Sequence, residues 1–314
     1  MVEEKNNFKK DVLPVFIMGL IFVIVYSLVL FLTEPFITEG GIQQAFEDIN
    51  NPVNILTIII IMLLITIIIL LIAKYWKDKI IQIIILFAIG YSSFYAFFLP
   101  VLNIILPTNP DIVLISSIIF AILLVSILYK YPEWYIIDIS GIIIGIGAII
   151  IFGISLGILL VLLLLVVLAV YDAISVYKTK HMIDLADTVM ELKLPVLLVI
   201  PKKWGYSLLK ETKRLKEKLK EGEEREAFFM GLGDIVLPGI LVAAVYHNID
   251  VPEGFLVAIG TIIGILIGFA LLMIFVLKGK PQPGLPCLCG GAILGYIFSS
   301  LILFGELKGL VNII

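Results

Sequence analysis

The sequence predicts an all-α polytopic membrane protein with nine transmembrane helices. Hydrophobic residues make up 61% of its 314 residues, charged residues only 15%, and the mean hydropathy is +1.17. Soluble globular domains average ~45–50% apolar and ~25% charged residues. The composition therefore excludes an ordinary soluble domain. Helices are expected because lipid offers no hydrogen-bond partner to a free backbone N–H or C=O group.

Nine apolar stretches each approach the ~20 residues that cross a hydrocarbon core ~30 Å thick. They are residues 13–32, 53–73, 80–99, 112–129, 136–152, 155–177, 227–247, 254–277 and 286–305. The segment 136–177 is too long for one crossing and too short for three, so we expect a tight turn near Gly153. The first stretch is too long for the core of a signal peptide, and we expect it to be a retained span.

These spans divide the chain into three parts. Residues 1–177 hold transmembrane helices 1–6, residues 178–226 form a cytoplasmic connection, and residues 227–314 hold helices 7–9. The second half of the connection, Tyr206–Glu226, is dense in Lys and Glu with interspersed leucines, which predicts a helix at the inner membrane surface or a solvated linker helix. The first half contains Val196–Ile200, a short apolar run before Pro201 that favours a strand.

The basic residues predict the orientation of the protein in a cell membrane. With nine spans, all 22 Lys and Arg residues except Lys308 fall on one side of the membrane. Cytoplasmic loops carry an excess of Lys and Arg. The amino terminus is therefore expected in the cytoplasm and the carboxyl terminus outside.

Ionisable side chains inside a membrane span are costly and usually functional, and two aspartates stand out in the predicted spans. Asp172 follows Tyr171 near the cytoplasmic end of the sixth span, and Asp234 ends the sequence Gly231-Leu232-Gly233-Asp234 near the cytoplasmic end of the seventh. Because consecutive spans are usually neighbours, the topology predicts two carboxyl groups at matched depth on adjacent helices.

The sequence around Asp234 favours a functional site over simple helix packing. Glycine costs a helix interior ~1 kcal/mol relative to alanine, and two glycines precede this acid. Pro238 removes the hydrogen bond that would reach the carbonyl of Asp234. Two close carboxyl groups tend to share one proton, so that one can activate water while the other donates a hydrogen bond to an amide carbonyl.

Three short motifs resemble those of the presenilin and signal peptide peptidase family of intramembrane aspartyl proteases. Tyr171-Asp172 is similar to the family's Tyr-Asp motif, and Gly231–Asp234 is similar to its Gly-x-Gly-Asp motif. Pro283-Gly284-Leu285 resembles the family's Pro-Ala-Leu motif, with glycine in place of alanine. Gly231–Gly239 looks more like the signal peptide peptidases, whereas the predicted orientation is that of the presenilins, so the subfamily stays open.

The resemblance implies an aspartic intramembrane endopeptidase, of archaeal type, that uses Asp172 and Asp234 as catalytic residues. It further implies that Tyr171, Gly231–Gly233 and Pro283–Leu285 shape the site or bind substrate. The implied partners are transmembrane proteins or peptides and the lipid bilayer, and the substrate is expected to pair as a strand, for which Val196–Ile200 is the candidate edge. We expect no cofactor, no metal and no nucleic-acid partner.

Other functions were weighed against this one. A proton-coupled transporter or channel could use the same aspartates as a proton relay, although no inverted repeat is found. Gly153-Ile154-Ser155-Leu156-Gly157 has the spacing of a serine-hydrolase elbow, which requires a strand-to-helix turn. No His-Glu-x-x-His motif predicts a metalloprotease.

Two further patterns concern packing. Cys287 and Cys289 are two positions apart, so on a helix they point to different faces and a mutual disulfide is not expected. Gly260, Gly264 and Gly268 form a stripe of small residues that suits close helix contact, either within the bundle or in a homo-oligomer.

Overall fold

The protein is a helical bundle with one two-stranded sheet, and the computed structural model describes residues 2–75, 78–176, 197–202, 205–208, 226–277 and 282–310. The described part of the chain is mostly helical, as the composition predicts. Its helices are α1 (Val2–Thr38), α2 (Val53–Tyr75), α3 (Asp78–Ser93), α4 (Leu99–Ile105), α5 (Pro110–Lys130), α6 (Trp134–Ser155), α7 (Ile158–Ile174), α8 (Gly233–Asn248), α9 (Glu253–Leu277) and α10 (Gly284–Phe304). A π-helical turn, Phe94–Phe98, joins α3 to α4.

Within the described residues, six helical segments are long and apolar enough to cross a membrane. They are Val12–Thr38, Gln82–Ile105, Pro110–Lys130, Trp134–Ser155, Glu253–Leu277 and Gly284–Phe304. Val53–Ile65 and Ile158–Ile174 are shorter apolar helices. The fold is therefore that of a multi-pass membrane protein, and the count of nine spans stays a prediction.

The seventh predicted span begins later than the sequence indicated. Residues Ala227–Gly231 form strand β2, which pairs antiparallel with strand β1 (Leu197–Pro201), and helix α8 begins only at Gly233. The prediction of a helix from residue 227 was wrong because a distant strand offers Phe228 and Phe229 a partner, and aromatic residues suit strands. The predicted strand character of the run ending at Ile200 is confirmed.

The turn between the fifth and sixth predicted spans lies at Leu156 and Gly157 rather than at Gly153. The segment before α2 stabilises this turn, because the Gly157 N–H donates to the carbonyl of Ile49 over 2.8 Å. Ser155 accepts a hydrogen bond from the backbone N–H of Ala45 over 2.8 Å. Ser155 is buried and ends helix α6 with no strand before it, so the serine-hydrolase elbow is not formed.

Helix α8 occupies the centre of the bundle. It packs against α1, α6, α7, α9 and α10, and residues 241–245 are fully buried. Gly153 in α6 allows the close approach of Ala243, because a Cβ at Gly153 would overlap the Ala243 side chain. The helix that begins with the predicted site is thus held on all sides by other helices.

The glycine stripe of the eighth predicted span packs within the chain. Gly260, Gly264 and Gly268 face Ser299, Gly291 and Cys287 of α10, and a Cβ at Gly264 would overlap the carbonyl oxygen of Gly291. This contact makes α9 and α10 a closely packed pair. The stripe therefore supplies no argument for a homo-oligomer, which stays an untested prediction.

The segment after α10 folds back on the bundle. The Tyr296 hydroxyl donates to the carbonyl of Lys308 over 2.7 Å. The Lys308 ammonium lies 2.9 Å from Glu306 and 3.2 Å from Glu253, and hydrogen bonds to these two carboxylates raise the pKa of Lys308. These contacts link the end of α10 to the start of α9. Cys287 and Cys289 are free thiols, as their spacing predicts.

Candidate active site

Asp172 lies in the last turn of α7, two residues before the helix ends at Ile174. Its side chain is only 8% exposed, although the Tyr171 side chain beside it is 71% exposed. Successive helix residues point in different directions, so the aspartate faces the bundle while the tyrosine faces outward. Among the described residues, the carboxylate has no cationic partner, and its neighbours are backbone N–H groups.

Asp234 lies in the first turn of α8 and is half-buried. The chain reaches it directly from β2, which ends at Gly231, and the Gly231 N–H is directed at the Asp234 carboxylate. Leu232 precedes the helix, and its carbonyl accepts hydrogen bonds from the N–H groups of Ile235 and Val236 over 3.1 and 3.0 Å. The strand therefore sets the direction in which α8, and with it Asp234, begins.

The first two residues of α10 bring the two acids together. The Leu285 N–H donates to Oδ2 of Asp172 over 3.1 Å, and the Gly284 N–H is directed at the same carboxylate. A Cβ at Gly284 would lie 2.9 Å from Oδ2 and 3.0 Å from Oδ1 of Asp234. The two carboxylates are close enough to interact electrostatically. The three predicted motifs therefore meet at one place. Asp172 and Leu285, which share a hydrogen bond there, are 113 residues apart along the chain.

The start of α10 is suited to binding the Asp172 carboxylate. The first N–H groups of an α-helix have no partner inside the helix, and its positive dipole end favours negative charge. Pro283 is buried and extended, with φ −66° and ψ 132°, so it ends the preceding connection and lets α10 begin at Gly284. The motif Pro283-Gly284-Leu285 thus presents backbone donors to Asp172.

The remaining predicted site residues differ in what they touch. Gly233 is exposed, and nothing lies within 4 Å of where its Cβ would be, so space is open next to Asp234. The Leu232 side chain instead lies 3.6 Å from the Cβ position of Gly145 in α6. The Tyr171 side chain is mostly exposed and faces out of the bundle.

Two residues near the site were not among those predicted from the sequence. Tyr26 of α1 is fully buried, and its hydroxyl donates to the carbonyl of Ile235 over 2.9 Å, one residue after Asp234. Asp138 of α6 is 7% exposed, and its Oδ1 accepts a hydrogen bond from the Val199 N–H over 2.8 Å. Asp138 is an acid inside a predicted span, and this signal alone could have identified it. No local pattern marks Tyr26, because its partner is distant in sequence.

Comparisons with known proteins agree with this geometry. The sequence matches the family described as signal-peptide peptidase, presenilin aspartyl protease over residues 18–305. A solved structure of a presenilin family intramembrane aspartate protease in space group C222 is 32% identical, with a TM-score of 0.66 over 93% of this chain and 99% of the other. A second, in space group P2, is 33% identical with a TM-score of 0.66, over 91% and 96%. No match was found among curated proteins.

A multi-pass bundle of membrane helices in which two aspartates from different helices lie beside the start of α10 fits the class of intramembrane aspartic proteases. The chain belongs to the signal-peptide peptidase and presenilin aspartyl protease family. It is an aspartic-type intramembrane hydrolase, and such proteases act on transmembrane substrates within the bilayer. The family result gives no support to the alternative of a proton-coupled transporter or channel.

Proposed function

We propose that Asp172 and Asp234 are the catalytic dyad of an endopeptidase that cleaves transmembrane helices with an activated water. The observation that carries the proposal is the convergence of both carboxylates on Gly284 and Leu285. Each comes from a different helix, and a third helix supplies the backbone donors between them. Tyr171, Gly231–Gly233 and Pro283–Leu285 then act as the residues that shape this site.

The chemistry follows from the two acids sharing one proton. The ionised carboxylate accepts a proton from a water molecule as the oxygen of that water attacks the amide carbon. The protonated carboxyl group donates a hydrogen bond to the carbonyl oxygen, where negative charge develops. Proton transfer to the amide nitrogen then allows the C–N bond to break, giving one carboxyl and one amine end.

Leu285 and Gly284 have a separate part in this scheme. Their N–H groups hold Asp172 in one orientation without supplying a charge that would neutralise it. Preorganised backbone donors need no rearrangement during the reaction. Asp234 is oriented from the other side by β2 and the Gly231 N–H. The pair is thus held by backbone groups from two different elements.

The substrate has to leave the helical state, because the backbone groups of a helix are already paired. We expect the unwound segment to add as a strand to the β1–β2 pair. The candidate edge predicted from the sequence lies on β1, but the Val199 N–H at that edge already bonds to Asp138. Among the described residues only β1 pairs with β2, so the other edge of β2 is the better place for a substrate strand.

The register identifies the groups at that edge. Lys202 N–H donates to the carbonyl of Glu226 over 2.8 Å, and hydrogen-bonded pairs alternate along an antiparallel ladder. Phe229, opposite Val199, therefore directs its N–H and C=O away from β1. A strand paired along this edge would extend past Gly231 to the neighbourhood of Asp234. This places an extended substrate beside the acid that follows β2.

We propose the same domain division and the same membrane orientation that the sequence predicts. Residues 1–177 and 227–314 form the two groups of transmembrane helices, and residues 178–226 form the connection between them on the cytoplasmic side. Strand β1 lies in the described part of that connection, and strand β2 begins directly after the connection and leads to Asp234. The helix predicted for Tyr206–Glu226 lies mostly outside the described residues.

The deciding experiment is cleavage of a transmembrane peptide by purified protein in detergent, with Asp172→Asn and Asp234→Asn tested alongside. Asp111→Asn, an exposed acid at the start of α5, is the matched control. We expect both dyad variants to stay folded and to lose at least ~10²-fold in cleavage rate, while the control cuts normally. Folded dyad variants that cut like wild type would overturn the proposal.

The substrate edge has its own test. Phe229→Pro removes an N–H that faces away from β1, and Phe229→Ala removes the side chain but keeps that N–H. If a substrate strand pairs with β2, the proline variant loses cleavage and the alanine variant retains most of it. Equal cleavage by both variants would show that the substrate does not use this edge.

A further inference from the structure

We propose that Asp138 is a positioning residue that sets where the enzyme cuts, because it holds strand β1 and, through β1, the strand β2 that leads to Asp234. The inference rests on the proposed protease function of the dyad. Asp138 does not touch the reacting groups. It acts through the one hydrogen bond that its Oδ1 accepts from the Val199 N–H over 2.8 Å.

The burial of Asp138 shows that this contact is not incidental. Its side chain is 7% exposed in the second turn of α6, where an unpaired carboxylate is costly. Ser140, also buried and two residues further on, instead donates to the carbonyl of Ile136 in its own helix over 2.7 Å. Asp138 therefore bonds across to the sheet, whereas its polar neighbour stays within the helix.

The position of Val199 in β1 explains why a side chain is needed there. Val199 is the middle residue of the strand, and its N–H points away from β2, since the ladder bonds alternate with it. Without Asp138, a buried N–H at the centre of the strand would have no partner. An unsatisfied buried donor costs ~1–3 kcal/mol, so the strand would move to recover a bond.

A second carboxylate, just before the same helix, holds the chain beyond β1. Glu133, the residue before α6, accepts hydrogen bonds from the Ser207 hydroxyl over 2.7 Å and from the Leu208 N–H over 3.1 Å. The start of α6 thus bonds to the chain at two places, within β1 and after it. These contacts hold β1 and the chain after it against the start of α6.

A movement of β1 would shift its paired strand β2 and, through β2, Asp234. Val199 lies opposite Phe229 in β2, β2 ends at Gly231, and Asp234 follows three residues later. A slip of one residue along a strand corresponds to ~3.4 Å. That distance is enough to bring a neighbouring peptide bond of a paired substrate to the dyad. Loss of the Asp138 bond should therefore change the cut position and substrate affinity more than the chemical step.

The experiment compares four variants in the peptide assay and identifies the products by mass spectrometry. Asp138→Ala removes the acceptor, Asp138→Asn keeps an oxygen acceptor, Val199→Pro removes the donor but no ladder bond, and Ser140→Ala is the control. We expect Asp138→Ala and Val199→Pro to redistribute the cut positions alike. Their KM should rise about 10-fold while kcat changes less than about 3-fold.

The combined variant decides whether the two residues act together. Asp138→Ala with Val199→Pro should have no more effect than either change alone, because both remove the same bond. Asp138→Asn and Ser140→Ala should cut where wild type cuts. Additive effects, an asparagine variant that behaves like the alanine variant, or an unchanged cut pattern in Asp138→Ala would each overturn the inference. If Asp138→Ala does not fold, the asparagine and proline variants carry the test alone.

Asp172→Asn and Asp234→Asn in the same assay separate the two proposals. If both are inactive while every Asp138 and Val199 variant cuts like wild type, the dyad stands and the positioning role of Asp138 fails. If the dyad variants cut, the proposed protease function itself fails, whatever the Asp138 variants show.

Discussion

The backbone N–H of Leu285 donates a 3.1 Å hydrogen bond to Oδ2 of Asp172, joining the start of α10 to the end of α7. The same helix start lies against Asp234, since a Cβ at Gly284 would be only 2.9 to 3.0 Å from the oxygens of that carboxylate. Two helix ends that are far apart in sequence are therefore brought to one point by a third. Changes to the groups at this point should therefore affect the position of the two acids.

Removal of the Leu285 N–H should impair catalysis even if the side chain matters little. Leu285→Pro places proline in the first turn of α10, where a helix tolerates it, and removes the donor to Asp172. Hydrogen bonds to charged groups contribute ~1.5–3 kcal/mol, so kcat should fall roughly 10- to 100-fold. Leu285→Ala keeps the N–H and should retain most activity. The steady-state kinetics of both variants would settle this, and an equal loss in both would contradict it.

A methyl group at residue 284 should displace Asp234. The Cβ of Gly284→Ala would lie 2.9 to 3.0 Å from the Asp234 carboxylate, closer than side chains normally approach. The carboxylate lies at the end of a flexible side chain, and the family's motif has alanine at this position, so a small shift is enough to accommodate the methyl group. Since a shift of ~1 Å can cost on the order of 10²-fold in rate, kcat should fall by less than about 10-fold. Gly290→Ala is the control on the same helix, since nothing lies within 4 Å of its Cβ position. If the two variants have the same kcat, Gly284 does not set the position of Asp234.

The hydroxyl of Tyr26 should stabilise the first turn of α8. Tyr26→Phe leaves the ring in place and removes the hydrogen bond to the carbonyl of Ile235, so the free energy of unfolding should fall by about 1 kcal/mol. Thermal unfolding in detergent measures the change. Tyr91→Phe is the control because Tyr91 is 61% exposed. A Tyr26→Phe variant as stable as the control would show that this bond contributes nothing.

The predicted orientation can be tested with a membrane-impermeant thiol reagent. Glu39→Cys lies in the exposed segment after α1, and Tyr131→Cys lies in the exposed connection after α5. If the amino terminus is cytoplasmic, intact cells should be labelled at residue 39 and not at residue 131, while inverted vesicles show the opposite. Wild type controls for Cys287 and Cys289. The reverse labelling pattern would overturn the orientation derived from the basic residues.

The sequence alone established the class of the protein and located Asp172 and Asp234, although Asp138 carried the same signal and was not singled out. Apolar composition and helix-length stretches depend only on local sequence, because transfer to lipid is decided residue by residue. Asp172 and Asp234 were identified for the same reason, since a carboxylate within an apolar stretch needs no tertiary information to be recognised. The strand ending at Pro201 was also predicted, from its short apolar run next to prolines.

Tertiary structure decided which groups pair with one another. Whether Ala227–Gly231 forms helix or strand depends on β1, which lies outside any local window, and the strand prevailed. Asp138 and Val199 are 61 residues apart, and Tyr26 and Ile235 are 209 apart. Hydrogen-bond partners at such separations are chosen by packing, not by the residues that flank them. The acids can be read from the chain, but the backbone groups that orient them exist only in the folded bundle.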